Sequence, residues 1–141
     1  MAGLQNNNQL KIKFNEGLLG LDNFKNYVLK EVPDNSFFKI LQSEEEEEIS
    51  FLLLSPQGFF PQYRVEVSPE IVKELEGDSI EDLSLYCVVT LADKWEDITA
   101  NLIGPVLINE KKGLGKQVVL ENTEYKTKHY VFPPQEKVEC G

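Results

Sequence analysis

Histidine occurs once, at position 129, tryptophan once and cysteine twice in the 141 residues, and these shortages remove whole classes of chemistry. Nucleophilic catalysis by an assisted serine or cysteine needs a nearby base, and His129 is the sole imidazole. A surface or packing role is expected of it. One histidine with two distant cysteines, Cys87 inside an apolar run and Cys140 beside the C-terminus, supplies neither a zinc ligand set nor a disulfide framework. Reduced thiols of a cytoplasmic protein fit that spacing. Carboxylates are so abundant that no catalytic pair stands out. No catalytic residue, metal ligand or cofactor-binding residue is therefore expected. Long apolar runs are missing too, and the N-terminus, Met1 to Gln9, has no basic region followed by an apolar stretch. Neither export nor membrane anchoring is expected.

Positive charge is the next scarcity. Fourteen Lys and Arg face 24 Asp and Glu, giving a formal net charge of -10. Such a chain repels a phosphate backbone, so direct nucleic-acid binding is not expected. It attracts a basic protein and speeds its capture. Apolar residues make up 41% and aromatics 10%, too rich for a disordered chain and enough for one core.

The polar, Asn-rich N-terminus (residues 1–10) and the Pro133-Pro134-led tail (residues 133–141) read as flexible ends around a single domain over residues 11–132. Short Val, Ile, Phe and Leu runs bounded by Gly, Pro, Asn and Asp predict strands. These are Lys11–Phe14, Tyr27–Val32, Phe37–Gln42, Ile49–Leu54, Tyr63–Val67, Leu83–Leu91, Thr99–Leu102, Val106–Asn109 and Lys116–Leu120. Ser68-Pro69 followed by Ile71, Val72 and Leu75 predicts a short helix, with Gly77 as its stop. A second is predicted over Leu21–Lys25. Leu85–Leu91 is apolar without alternation, as in a strand covered on both faces, and makes Cys87 a small core hydrophobe. The expected architecture is all-β (β-rich): a single-domain, barrel-like roll of many short strands with one or two short helices.

Three local motifs invite a functional reading. Gly113-Leu-Gly115-Lys116 resembles a phosphate loop but lacks the following Ser or Thr, and Val118-Val-Leu120 wants a strand where that loop needs a helix. A hairpin turn explains it. The run Glu44–Glu48 predicts a flexible, solvated turn between strands, with a contact for a basic partner as the alternative. Phe59-Phe60-Pro61-Gln62-Tyr63 is a bulky aromatic cluster bounded by Pro56 and Gly58. It reads either as a protein-binding anchor or as a cap on the end of a core.

Several segments together resemble the FliW family of bacterial flagellar assembly factors, from about Lys11 to about Tyr130. They are Phe14-Asn-Glu-Gly17 with Gly20, Phe51–Pro56 with Phe60-Pro61 and Tyr63, and Leu85–Thr90. The most specific is Thr99-Ala-Asn-Leu-Ile-Gly-Pro-Val-Leu-Ile-Asn109 with Gly115–Leu120 and Tyr125. The glutamate run and Lys137–Gly141 lie outside the family pattern, and Gly104 stands where alanine is commoner. The resemblance implies a cytoplasmic, barrel-like domain that binds flagellin and the translational repressor CsrA. Released from flagellin, it would bind CsrA and relieve repression of flagellin mRNA translation. Partner-binding candidates on the matching motifs are Phe59, Phe60, Pro61, Tyr63, Thr99, Asn101 and Leu102. A hydrolase using acidic residues in a barrel pocket is the alternative, and would need convergent polar groups with perturbed pKa values. A third reading, an oligomeric structural protein, is opposed by the scarcity of exposed apolar runs, which favours a monomer.

Overall fold

Alternation in Gln9–Phe14 sends Ile12 and Phe14 inward and leaves Lys11 and Lys13 in solvent. This is strand β1 of the computed structural model, which describes residues 9–132. The next three strands follow as an antiparallel meander: β2 (Asn26–Val32), β3 (Asn35–Ser43) and β4 (Ser50–Leu54). The chain then leaves the sheet and returns as β5 (Ser84–Thr90), which pairs with β4 through Leu52↔Val89 to Leu54↔Cys87. On its other edge β5 pairs with β7 (Val106–Asn109), and β7 pairs with β8 (Leu114–Gln117). Parallel pairing of β8 with β1, Lys13↔Leu114 and Phe14↔Gly115, closes a seven-strand barrel. Closure removes the free edges that an open sheet would expose. The short strands β6 (Thr99–Ala100) and β9 (His129–Tyr130) extend the sheet from the far half of β5.

Two hydrophobic cores share β5 as a common wall. Tyr86 and Val88 face the barrel interior with Ile12, Phe14, Tyr27, Leu29, Leu41, Leu53, Val106 and Ile108. Leu85, Cys87 and Val89 face outward, into a second core made by the loops and the C-terminal segment. Both faces of β5 are thus covered, as its unalternating sequence predicts, and Cys87 is wholly buried. Gly115 is the tightest point of closure: a Cβ there would lie 2.5 Å from the Phe14 ring.

The predicted helix forms as α1 (Pro69–Glu74), whose first turn is capped by the Ser68 side chain accepting from Ile71 N. Its stop differs from expectation by one residue. Glu76, at φ 61°, takes the left-handed position, while its N–H donates to Lys73 O and that of Gly77 to Val72 O. This is the two-bond C-terminal motif in which glycine is usual at Glu76's place. Asn109 of β7 donates from Nδ2 to Leu75 O at 2.9 Å and docks the helix end on the barrel.

Three predicted elements are corrected. Leu21–Lys25 forms turns and a bridge, Leu18↔Leu21, because the segment between Gly17 (φ 69°) and Phe24 doubles back on itself. Tyr63–Val67 alternates exposed and buried or half-buried residues but joins no ladder, since Tyr63 turns into the outer core. The ninth predicted strand starts at Leu114 and ends at Gln117, although Val118 N and Leu120 N still donate to Pro105 O and Ile103 O. Gln9 and Leu10, expected in the flexible N-terminus, belong to β1. The rest of that expected end, and the tail 133–141, lie outside the described residues.

Candidate protein-binding surface

The Pro56–Gly58 turn throws Phe59 and Phe60 over the outside of the barrel. A side chain at Gly58 would collide with Phe37, 2.5 Å from its ring, so glycine is what lets this turn lie against β3. Phe59 packs edge-on against Phe37 and Phe132, with ring centroids at 5.6 and 5.9 Å, and tilted against Phe38. Phe60 meets the His129 ring at 6.4 Å. Both phenylalanines are half-buried, and Pro61 is exposed. Tyr63 is buried; its hydroxyl donates to Leu102 O at 2.6 Å and its ring meets Tyr125 at 4.8 Å. Burial pushes its hydroxyl well above the usual phenol range, and pushes the neighbouring Cys87 thiol up to about 12. Neither ionises near neutrality.

The other candidates lie in the same layer. Thr99 is buried opposite Tyr130, and Leu102 is buried in the outer core. Asn101 accepts from Ile103 N and Gly104 N at 3.1 and 2.8 Å, a side-chain turn that shapes the chain before β7. The structure therefore brings all seven candidate residues into or around the outer core, with Phe59, Phe60, Pro61 and Asn101 reaching solvent.

Sequence reasoning missed the most exposed part of this layer. Trp95 is 59% exposed, stacks edge-on against Phe132 at 5.2 Å, and so continues an aromatic string through Phe132 and Phe59 to Phe37, itself 48% exposed. Leu91 is also exposed. Asp93, Glu96 and Asp97 surround Trp95 in its own turn and are all exposed. The available signal was Asp93-Lys-Trp-Glu-Asp97 itself, where the chain's one tryptophan stands among charges with no alternating pattern to bury it.

The glutamate run is exposed as expected but is not a loose turn. Glu45 folds back to accept from Lys25 N at 2.8 Å and Asn26 Nδ2 at 2.9 Å, and Ser43 Oγ accepts from Glu45 N and Glu46 N. These bonds, that from Asn26 first, hold the Glu45 carboxyl below its ordinary value. Glu46, Glu47 and Glu48 project into solvent.

Among the described residues no convergent catalytic set accompanies this surface. A cavity of about 280 Å³ is lined in part by charged groups, of which Lys39 lies 3.1 Å from Glu31 and Glu110 accepts from the Tyr86 hydroxyl at 2.7 Å. Among the described residues no group of three His, Cys, Asp or Glu could hold a metal, and no helix is long and apolar enough to cross a membrane.

A sequence profile of the family described as FliW protein matches residues 2–131. The chain belongs to the FliW family. The flagellar assembly factor FliW of Geobacillus kaustophilus (strain HTA426) is 42% identical over 122 residues, covering 86% of this chain and 84% of that relative. The one from Clostridium tetani (strain Massachusetts / E88) is 36% identical over 126 residues, covering 89% and 87%. A crystal structure of the flagellar assembly factor FliW superposes with a TM-score of 0.81 at 38% identity, over 89% of this chain and 87% of that one. The FliW barrel and the family resemblance read from the motifs thus agree, and the chain is a flagellar assembly factor of the FliW type. Neither these relatives nor the geometry of the described residues supports the hydrolase alternative.

Proposed function

We propose that this member of the family is a non-enzymatic, protein-binding regulator in the cytoplasm, monomeric alone, that binds flagellin and, when free of it, binds CsrA and relieves repression of flagellin mRNA translation. The observation that carries the reading is the aromatic string Trp95–Phe132–Phe59–Phe37, exposed at both ends and flanked at Trp95 by Asp93, Glu96 and Asp97, on a chain of net charge -10. Rigid aromatics at the centre of a patch supply much of the energy of protein interfaces, and an acidic rim selects and steers a basic partner. An RNA-binding repressor is such a partner.

Trp95 is the only tryptophan, so its emission reports on the patch. Titration with purified flagellin or CsrA should shift that emission, and Trp95→Ala should weaken binding of at least one of them about thirtyfold or more, as for a hot-spot residue. Unchanged affinity of both partners for the Trp95→Ala protein would remove the patch from the reading. Failure of both to bind the unaltered chain would remove the reading itself.

A further inference from the structure

A second surface lies away from the aromatic string. Beyond β8, residues 118–121 continue as an extended segment: Val118 N and Leu120 N bond inward to Pro105 O and Ile103 O. In an extended chain neighbouring residues point their backbone groups to opposite edges. The Val119 and Glu121 amides therefore face the other way, and within the described residues neither donates a hydrogen bond. Across from them runs the segment 64–67, where Arg64 N donates to the Tyr125 hydroxyl at 3.3 Å, so by the same alternation the Glu66 amide points to that side, and it has no partner among the described residues. Arg64 and Glu66 of the one segment and residues 118–121 of the other, with Ile71 and Tyr125, line one cavity of about 500 Å³.

We propose that this cavity is a docking groove for an extended peptide segment of a partner protein, one that alternates apolar with basic side chains and binds by adding a strand between residues 64–67 and 118–121. The backbone groups left over on both walls supply the ladder, as in other sites that bind peptides by strand addition. The walls also specify the side chains. Val65 and Leu120 turn into the outer core, so the inward face of an inserted strand meets an apolar floor. Glu66, Glu121 and the 56% exposed Val119 turn outward, so its other face meets carboxylates. Arg64 is the one cation on the walls, and its guanidinium is folded back onto the Pro61 and Tyr63 carbonyls at 3.0 and 2.9 Å. The chain's own ends do not fit the pattern: neither residues 1–8 nor residues 133–141 alternate apolar with basic side chains. A second copy would bring its own charge of -10 to the same carboxylates.

The test uses the full ¹⁵N-labelled chain and a synthetic heptapeptide, acetyl-Lys-Val-Lys-Val-Lys-Val-Lys-amide, followed by amide chemical shifts. Shifts should concentrate at Glu66 and at Val119 and Glu121. Methylating the valine nitrogens of the peptide keeps its charge and removes ladder donors, and should weaken binding about fivefold or more. Glu66→Gln with Glu121→Gln should weaken it about two- to fivefold, the range for exposed ion pairs. Equal binding by the methylated peptide, shifts centred on the open edge at Tyr130 or on Trp95, or no binding at millimolar concentration would each overturn the groove. None of these outcomes depends on whether flagellin or CsrA binds the aromatic string.

Discussion

Removing one oxygen from Tyr63 separates the two roles that the aromatic cluster suggests. The ring is 8% exposed and its hydroxyl donates to Leu102 O at 2.6 Å. Tyr63→Phe keeps the ring against Tyr125 and leaves the Leu102 carbonyl without that donor. An unsatisfied buried acceptor costs about 1–3 kcal/mol. For a chain of this length each kcal/mol moves Tm by about 4 °C, so Tm should fall by about 4–12 °C. Tyr63→Ala, which also opens a cavity, should cost about 3–5 kcal/mol. Trp95→Ala gives the contrast: its ring is 59% exposed, so Tm should move little while partner affinity falls. Circular-dichroism melts and titrations with flagellin and CsrA on the same three variants make the comparison. If Tyr63→Phe abolished binding with Tm unchanged to within about 1 °C, Tyr63 would be an anchor and the packing argument would fail.

Three other outcomes are expected. Replacing Glu44, Glu46, Glu47 and Glu48 with glutamine should leave Tm unchanged and slow CsrA association at low salt, whereas Glu45→Gln should lower Tm, because only Glu45 accepts from Lys25 and Asn26; equal melting of the two variants would refute this division. Glu76→Gly should raise stability by about 0.5–1 kcal/mol, since Glu76 sits at φ 61° with an exposed side chain, and a loss on urea unfolding would show that its side chain contributes something the backbone argument omits. His129 accepts from Lys126 N through Nε2, a bond only the unprotonated nitrogen makes, and burial, then Lys126, holds its pKa below the ordinary value near 6.5. Its contribution is therefore complete above that value and lost as pH falls through the lowered one. Exchange of the Val131 amide, corrected for intrinsic rates, should accelerate on acidification while that of Leu53 does not, and parallel behaviour of the two would count against it.

Seven of the nine strands and the helix were readable because their signals are local: alternation in Lys11–Phe14, an unbroken apolar run in Leu85–Leu91, Ser68-Pro69 ahead of an amphipathic turn. Thr99–Ala100 was placed within a longer run, and His129–Tyr130 was not foreseen, because a two-residue strand is made by its partner and not by its own pattern. Tyr63–Val67 has strand composition, but its tyrosine finds a better place against Tyr125 and Leu102 than in any ladder. The helix stop was misplaced because glycine is only a statistical marker of the left-handed position that Glu76 occupies. The aromatic cluster around Phe59 was legible as a unit, yet its extension through Phe132 to Trp95 joins residues far apart in sequence, a relation that appears only once β6 pairs with β5 and β9.

The closure of the barrel also sets a timetable for synthesis. β1 is the first strand to leave the ribosome, but the residues that complete its outer edge, Leu114 and Gly115, follow about a hundred residues later, roughly 5–20 seconds at ordinary elongation rates. Until β5 (Ser84–Thr90) emerges the β1–β4 meander can form with both of its outer edges open, one at β1 and one at β4, and after β5 has paired with β4 only the β1 edge still waits. The edge that waits longest is the one carrying Lys11 and Lys13 on its solvent face. Two lysines on an unpaired strand discourage pairing with another nascent chain, so positions that contribute nothing to the finished core protect the half-made barrel. Replacing both with threonine should leave the melting temperature of the completed protein almost unchanged and still lower its soluble yield.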